Sequence, residues 1–113
     1  MVNKVIELNI EYGHPTVENA LNYMKNSLVT YKRQGIRAVI IIHGYGSSGV
    51  GGSIKAAVAK CLGESSMCGI VRAFVPGENW YYRKREMLSI CKDLSNYERK
   101  ISGNDGITIV ILK

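Results

Sequence analysis

The chain has 113 residues, of which 46% are hydrophobic and 21% are charged, values that argue against a disordered protein. No apolar run approaches the ~20 residues that a membrane-spanning helix needs. Fifteen Lys and Arg residues against nine Asp and Glu residues give a net charge of +6, which favours either a polyanionic partner or simply a well-solvated surface.

The first part of the chain predicts strand, helix and strand in that order. Residues 4–10, KVIELNI, are a β-branched run typical of a strand. Apolar residues at helical spacing follow Thr16, a suitable N-cap, and the predicted helix ends before Gly35. Residues 37–43, RAVIIIH, are continuously apolar up to the histidine, which predicts a strand at the centre of the sheet or covered on both faces.

The second part predicts two further strands and two helices. A glycine-rich loop precedes a helix that is expected to begin near Gly52 and to end at Gly63. Residues 69–75 and 106–113 read as strands. Between them, apolar residues at helical spacing predict a helix over about 84–100.

The alternation of strands and helices predicts an α/β sandwich in which at least part of the sheet is parallel. The length and the absence of a linker-like segment predict one domain over residues 1–113. Residues 76–105 form an unusually long connection before the last strand, and they contain the expected extra helix.

Residues 43–53, HGYGSSGVGGS, contain near matches to two nucleotide-binding motifs. The dinucleotide motif GxGxxG begins at Gly44, but the next strand does not end in the acid that binds a ribose. The Walker A motif begins at Gly46, but Gly52 occupies its lysine position. What remains is a flexible backbone and a helix N-terminus, which together favour contact with a phosphate over a plain strand-to-helix turn.

Two further features suggest contact with nucleic acid. His43 ends a strand beside the glycine loop, where a histidine would donate to a phosphate or act as a general acid or base, or else be a satisfied structural group. The segment NWYYRKR, residues 79–85, interleaves aromatic and basic side chains. Such a segment suits stacking on unpaired bases; alternatively, Trp80 and Tyr82 pack onto the sheet while the arginines are solvated.

The chain resembles the Smr (small MutS-related) domain family over essentially its whole length. The resemblance is carried, in order, by IELN, TVENAL, HGYG, SIKAAV, VRAF and GNDGITIVIL. It implies a two-layer βαβαββ sandwich with a mixed four-stranded sheet, similar to the C-terminal domain of bacterial translation initiation factor three, with the extra helix inserted before the last strand. It also implies nucleic-acid binding, and many members of the family nick DNA or cleave RNA.

The resemblance also implies roles for individual residues. The catalytic candidates are His43, as a general acid or base or a phosphate ligand, and Glu7, as a base or metal-orienting carboxylate. The family's first motif has a histidine where this chain has Asn9, which cannot shuttle a proton, and His14 lies five residues later. Residues of the glycine loop, the following helix and the basic segments are the expected nucleic-acid contacts: Gly44, Tyr45, Gly46, Ser53, Lys55, Arg72, Trp80, Arg83, Lys84 and Arg85.

Three functions stay open. The first is a nucleic-acid-binding domain with endonuclease activity, for which Mg²⁺ or Mn²⁺ would be the cofactor. The second is an Smr domain that binds DNA or RNA without cutting it, as Asn9 favours slightly. The third is a protein-interaction module that uses residues 78–100 as its interface.

The remaining expectations concern the cellular setting. The N-terminus lacks the apolar core and cleavage site of a signal peptide, which predicts a cytoplasmic protein that does not associate with membranes. Cys61, Cys68 and Cys91 lack metal-binding spacing, so reduced thiols are expected and no dedicated metal site is predicted. A monomer is expected.

Overall fold

The computed structural model describes residues 4–13, 15–44 and 50–113, with the backbone alone described for residues 50–53. The strands are β1 (Val5–Asn9), β2 (Ala38–Ile42), β3 (Val71–Pro76) and β4 (Ile107–Leu112). The helices are α1 (Val17–Arg33), α2 (Val50–Leu62), α3 (Trp80–Ile90) and α4 (Glu98–Ile101). Short 3₁₀ turns precede β3 and α3 and join α3 to α4.

The four strands form one mixed sheet in the order β1-β2-β4-β3. β1 and β2 are parallel, whereas β4 is antiparallel to both β2 and β3. It follows that β1, β2 and β3 run in the same direction and end at the same edge of the sheet, which we call the carboxyl edge. β4 begins there, because Ile107 pairs with Ile42.

Both faces of the sheet are covered. α1 and α2 pack on one face, where Met24, Leu28 and Val58 join alternate residues of β2 and β4 in one core cluster. The inserted segment packs on the opposite face and contributes Trp80 and Met87 to a second cluster. The expected α/β fold with a mixed four-stranded sheet is confirmed, and the inserted segment adds a layer that the two-layer description does not include.

The cover on both faces explains the composition of the central strands. All six residues of β4 are buried, as are four of the five residues of β2. Their side chains alternate between the two clusters, which is why all the residues of these two strands except Thr108 are apolar. The apolar run 37–43 predicted this burial correctly.

The ends of α1 follow the sequence signals closely. The Thr16 hydroxyl accepts a hydrogen bond from the Asn19 N–H at 3.1 Å, which satisfies one of the free donors of the first turn. At the other end the chain reverses through Gly35, whose φ of +83° lies in the left-handed region that glycine adopts at little cost. The predicted helix from Thr16 to Gly35 is therefore confirmed.

The inserted helix differs from the expected span of 84–100. α3 starts at Trp80 and ends at Ile90, because Cys91 is extended, with φ −138° and ψ 96°. A 3₁₀ turn follows over Lys92–Tyr97. Since a 3₁₀ turn repeats every three residues, it buries Leu94 on the same side as Cys91, and the apolar spacing alone does not distinguish it from an α-helix.

No helix within the described part of the chain is long and apolar enough to cross a membrane. The three cysteines are free thiols; Cys61 and Cys91 are buried and Cys68 is exposed.

Candidate functional site

The carboxyl edge brings together segments that are far apart in sequence. The turn after β1 contains Glu11, and His43 and Gly44 follow β2 directly. The backbone N–H groups of His43 and Gly44 both donate to the Gly106 carbonyl at 3.0 Å, just before β4 begins. These two hydrogen bonds hold the start of the glycine loop next to the first residue of β4.

His43 is fully buried at this edge, at 0% exposure. Its Nδ1 lies 3.0 Å from the Gly44 carbonyl oxygen, which only accepts, so Nδ1 carries the proton. Its Nε2, 2.8 Å from the Thr108 hydroxyl, then accepts a hydrogen bond from that hydroxyl. The ring is a neutral imidazole with both nitrogens engaged.

The surroundings of His43 keep it neutral. Burial lowers the pKa of the imidazole below its ordinary value, and the nearby Lys55 ammonium lowers it further. The hydrogen bond to Gly44 and the Glu11 carboxylate act in the opposite direction but do not reverse the shift. In this conformation His43 is a structural group that joins β2 to β4.

Stability should therefore depend on pH through His43. Its pKa is 6.5 in an unfolded chain and lower in the folded one, so the unfolded state takes up a proton first as the pH falls. The free energy of unfolding should be constant well above pH 6.5 and should fall as the pH drops through 6.5 toward the lower pKa of the folded protein. Urea unfolding at several pH values measures this change.

A matched pair of variants identifies the histidine responsible. His14→Gln should keep the loss of stability below pH 6.5, whereas His43→Gln should be less stable at every pH but lack most of that loss. An unchanged pH profile in His43→Gln would contradict the assignment.

Glu11 places its carboxylate against Gly44, at the start of the glycine loop. Gly44 has a φ of +83°, and a Cβ at this position would overlap the Glu11 carboxylate, so that group lies directly against the Gly44 backbone. Sequence reasoning missed Glu11, although its position just after β1 was a usable signal. It also missed Thr108, which is the one polar residue in the apolar strand β4 and therefore indicated a buried hydrogen bond.

Glu7 and Asn9, which match the family's first motif, do not reach His43. Both lie on the face of β1 that is turned toward the inserted segment, where Glu7 forms an ion pair with Lys100 of α4. The Asn9 side chain accepts hydrogen bonds from the N–H groups of Glu11 and Tyr12, at 2.9 and 3.1 Å. It shapes the turn after β1, a local role that amides commonly have.

The basic residues expected to bind phosphate lie in different parts of the structure, and only some of them form ion pairs. Lys55 is 2.5 Å from Glu78 at the carboxyl edge. Arg83 forms an ion pair with Glu86, and Lys84 one with Glu98. Arg72 lies near the start of β3, about 13 Å along the strand from Pro76. Arg85 is exposed and forms no ion pair with any residue that the structure describes.

The aromatic residues of the basic segment divide between the core and the surface. Trp80 is 0% exposed and belongs to the core cluster beneath α3, so no base can stack on it in this conformation. Tyr81 and Tyr82 are 77% and 82% exposed. The stacking role expected of Trp80 is therefore open only to the two tyrosines.

Some expected site residues cannot be placed. Tyr45, Gly46 and His14 lie outside the described residues, and Ser53 is described only as part of the backbone of α2. α2 itself begins at Val50, two residues before the expected start near Gly52.

The described residues do not offer a metal site. Within residues 4–13, 15–44 and 54–113, no group of three or more His, Cys, Asp or Glu side chains is placed to hold an ion. The described side chains therefore do not by themselves form a preformed site for the Mg²⁺ or Mn²⁺ that a metal-assisted nuclease would use.

Comparison with known proteins agrees with the fold. No curated protein sequence matches the chain significantly. The chain is similar to the crystal structure of the Smr domain of MutS2 from Thermus thermophilus, with a TM-score of 0.57 and 20% identity over 98% of this chain and 99% of the other. The family model for the Smr domain matches residues 13–81, which is more than half of the sequence. The chain belongs to the Smr domain family.

Proposed function

We propose that this chain binds nucleic acid and contacts the phosphodiester backbone at the carboxyl edge. Smr domains are nucleic-acid-binding and nuclease-type modules. The observation that carries the proposal is that the glycine loop joins the end of β2 to the N-terminus of α2 at the edge where β1 and β3 also end. The first N–H groups of a helix and its positive dipole end attract phosphate.

The charges of the chain support a polyanionic partner. The net charge is +6, and the ion pairs at the surface leave Arg85 and several other cations free of a described acidic partner. Exposed ion pairs contribute only about 0–1 kcal/mol, so a phosphate competes readily for Lys55, Arg83 or Lys84.

Binding without cleavage is the function that the geometry supports best. A general acid or base needs a nitrogen that reaches the substrate, whereas both nitrogens of His43 are engaged inside the protein. Cleavage remains a second candidate because of Glu11, whose carboxylate lies against Gly44 and would orient or activate a water beside a bound phosphodiester.

Fluorescence anisotropy with dye-labelled RNA and DNA oligonucleotides tests the binding. We expect affinity to fall steeply as salt rises from about 50 to about 200 mM, because phosphate contacts release counterions. Absence of binding to both oligonucleotides, or an affinity that salt does not change, would contradict the proposal.

Glu11→Gln separates binding from cleavage. A carboxylate beside a bound phosphate repels it, so a pure binding domain should bind about 2- to 5-fold more tightly when the charge is removed. A nuclease that depends on Glu11 should instead lose cleavage of the same oligonucleotides, assayed with Mg²⁺, Mn²⁺ or a chelator. Cleavage at the wild-type rate in Glu11→Gln would rule out this carboxylate as the catalytic group.

The protein-interaction alternative would use residues 78–100. That segment supplies Trp80, Met87 and Leu94 to the core, so its deletion would expose one face of the sheet. Only substitutions on its outer surface can test a docking role.

A further inference from the structure

The outer face of α3 carries two exposed tyrosines and an exposed arginine. Residues in a helix are about 100° apart around the axis, so Tyr81, Arg85 and Tyr82 lie at successive positions on one side. Trp80 and Met87 lie on the other side and are both 0% exposed. Packing against the sheet thus fixes the orientation of α3 and turns Tyr81, Tyr82 and Arg85 outward.

The two tyrosines form a defined surface. Their ring centroids are 5.8 Å apart and the ring planes meet at 85°. Together with Lys84 and Arg85 they line a shallow cleft of about 380 Å³. A flat ring system in such a cleft would stack on one tyrosine while the edge of the other closes its side.

The three basic residues around the cleft differ in whether they are paired with a carboxylate. Arg83 donates two hydrogen bonds to Glu86, at 2.9 and 2.8 Å, and Lys84 lies 2.5 Å from Glu98. Arg85 is exposed and forms no ion pair within the described part of the chain, and around the helix axis its position falls between those of Tyr81 and Tyr82. The cleft therefore offers aromatic surfaces next to a cation that is available for an anion.

The position of this face connects it to the glycine loop. α3 begins four residues after β3 ends at the carboxyl edge. The residue Glu78, in the turn before α3, is bridged to Lys55 of α2 at 2.5 Å. A nucleic-acid strand held at the N-terminus of α2 would thus continue toward the first turns of α3.

We infer that Tyr81, Tyr82 and Arg85 form a stacking platform for unpaired bases, so that the ligand is single-stranded RNA or DNA. This inference rests on the proposed nucleic-acid binding. Inside a duplex the faces of the bases are already stacked, so exposed tyrosine rings gain nothing from it, whereas an unpaired base stacks on them irrespective of its sequence. Arg85 binds the phosphate that joins the stacked base to its neighbour.

Anisotropy with single-stranded oligonucleotides of about 12 nucleotides, in RNA and DNA forms, and with matched duplexes tests the platform. The double variant Tyr81→Ala/Tyr82→Ala should weaken single-strand binding by about 10-fold or more and duplex binding by less than about 2-fold. Tyr81→Phe/Tyr82→Phe should bind like the wild type, since it keeps both rings. Arg85→Gln should reduce the slope of log affinity against log salt by about 0.7.

Tyr23→Ala is the matched control, because Tyr23 is 54% exposed on α1, which covers the opposite face of the sheet. It should leave affinity unchanged. The platform is wrong if the alanine double variant binds single strands with the same affinity as Tyr23→Ala. It is also wrong if the double variant loses as much affinity for duplexes as for single strands. In both cases the proposed function stands. If the wild type binds neither strand nor duplex, both fail.

Discussion

Trp80→Ala should lower the free energy of unfolding by about 3–5 kcal/mol. Trp80 is fully buried in the cluster beneath α3, and removing its indole leaves a cavity that the strands and α3 cannot fill without moving. A domain of this size has a total stability of only about 5–15 kcal/mol, so much of it would be lost. The melting temperature should fall by on the order of 15 °C.

Two variants make the Trp80 test specific. The Trp80 indole N–H has no hydrogen-bond partner in the described structure, so Trp80→Phe removes an unsatisfied donor, keeps much of the apolar volume and should be far less destabilising than Trp80→Ala. The exposed neighbour Tyr81→Ala should change stability by less than about 0.5 kcal/mol. Because the chain has one Trp, unfolding is best followed by far-UV circular dichroism. Wild-type stability of Trp80→Ala would contradict the placement of the ring.

The sequence predicted the regular elements well wherever local chemistry decides them. Thr16 and Gly35 mark the ends of α1 because a cap hydroxyl and a left-handed residue are needed there, whatever α1 packs against. The apolar runs of β2 and β4 identify central strands because both of their faces are buried. These signals act through neighbouring residues, and the sequence contains them directly.

The candidate site was harder to predict because it depends on contacts between distant segments. Glu7 matched the family's first motif, but the side-chain alternation of β1 turns it toward Lys100, whereas Glu11 lies against Gly44. The sequence left open whether His43 contacts a phosphate or is a satisfied structural group, and in the fold Thr108, 65 residues later, hydrogen-bonds to its Nε2. Only the pairing of β4 with β2 brings that hydroxyl into reach.

The orientation of the aromatic residues in the segment 79–85 also depends on contacts that the sequence does not specify locally. Its sequence left open whether the aromatic rings pack inward or face a ligand, and the fold divides them: Trp80 packs inward, while Tyr81 and Tyr82 face outward. Three successive residues of a helix span about 200° around its axis, so three adjacent aromatic residues cannot all pack against the sheet or all face a ligand. Knowing where α3 begins, at Trp80 and not at residue 84, was the missing information.

Gly77→Ala should destabilise the protein by about 1–3 kcal/mol or more. A Cβ at Gly77 would overlap the Asn104 carbonyl oxygen and come within 3.0 Å of the Ile101 carbonyl oxygen, and both of these are backbone atoms that cannot rotate away. It would also come within 2.8 Å of the Ile107 side chain. The turn before α3 would have to move away from the loop that precedes β4.

That movement should also reach the candidate site. The Gly77 carbonyl accepts a hydrogen bond from the Gly103 N–H at 3.2 Å, and the same loop supplies the Gly106 carbonyl that holds His43 and Gly44. Nucleic-acid affinity should therefore fall together with stability in Gly77→Ala. Gly69→Ala is the matched control, because a Cβ there meets nothing within 4 Å and its φ is not positive, so its stability should equal that of the wild type or exceed it slightly. Equal stability of the two alanine variants in urea unfolding would show that the turn before α3 does not pack closely against the loop before β4.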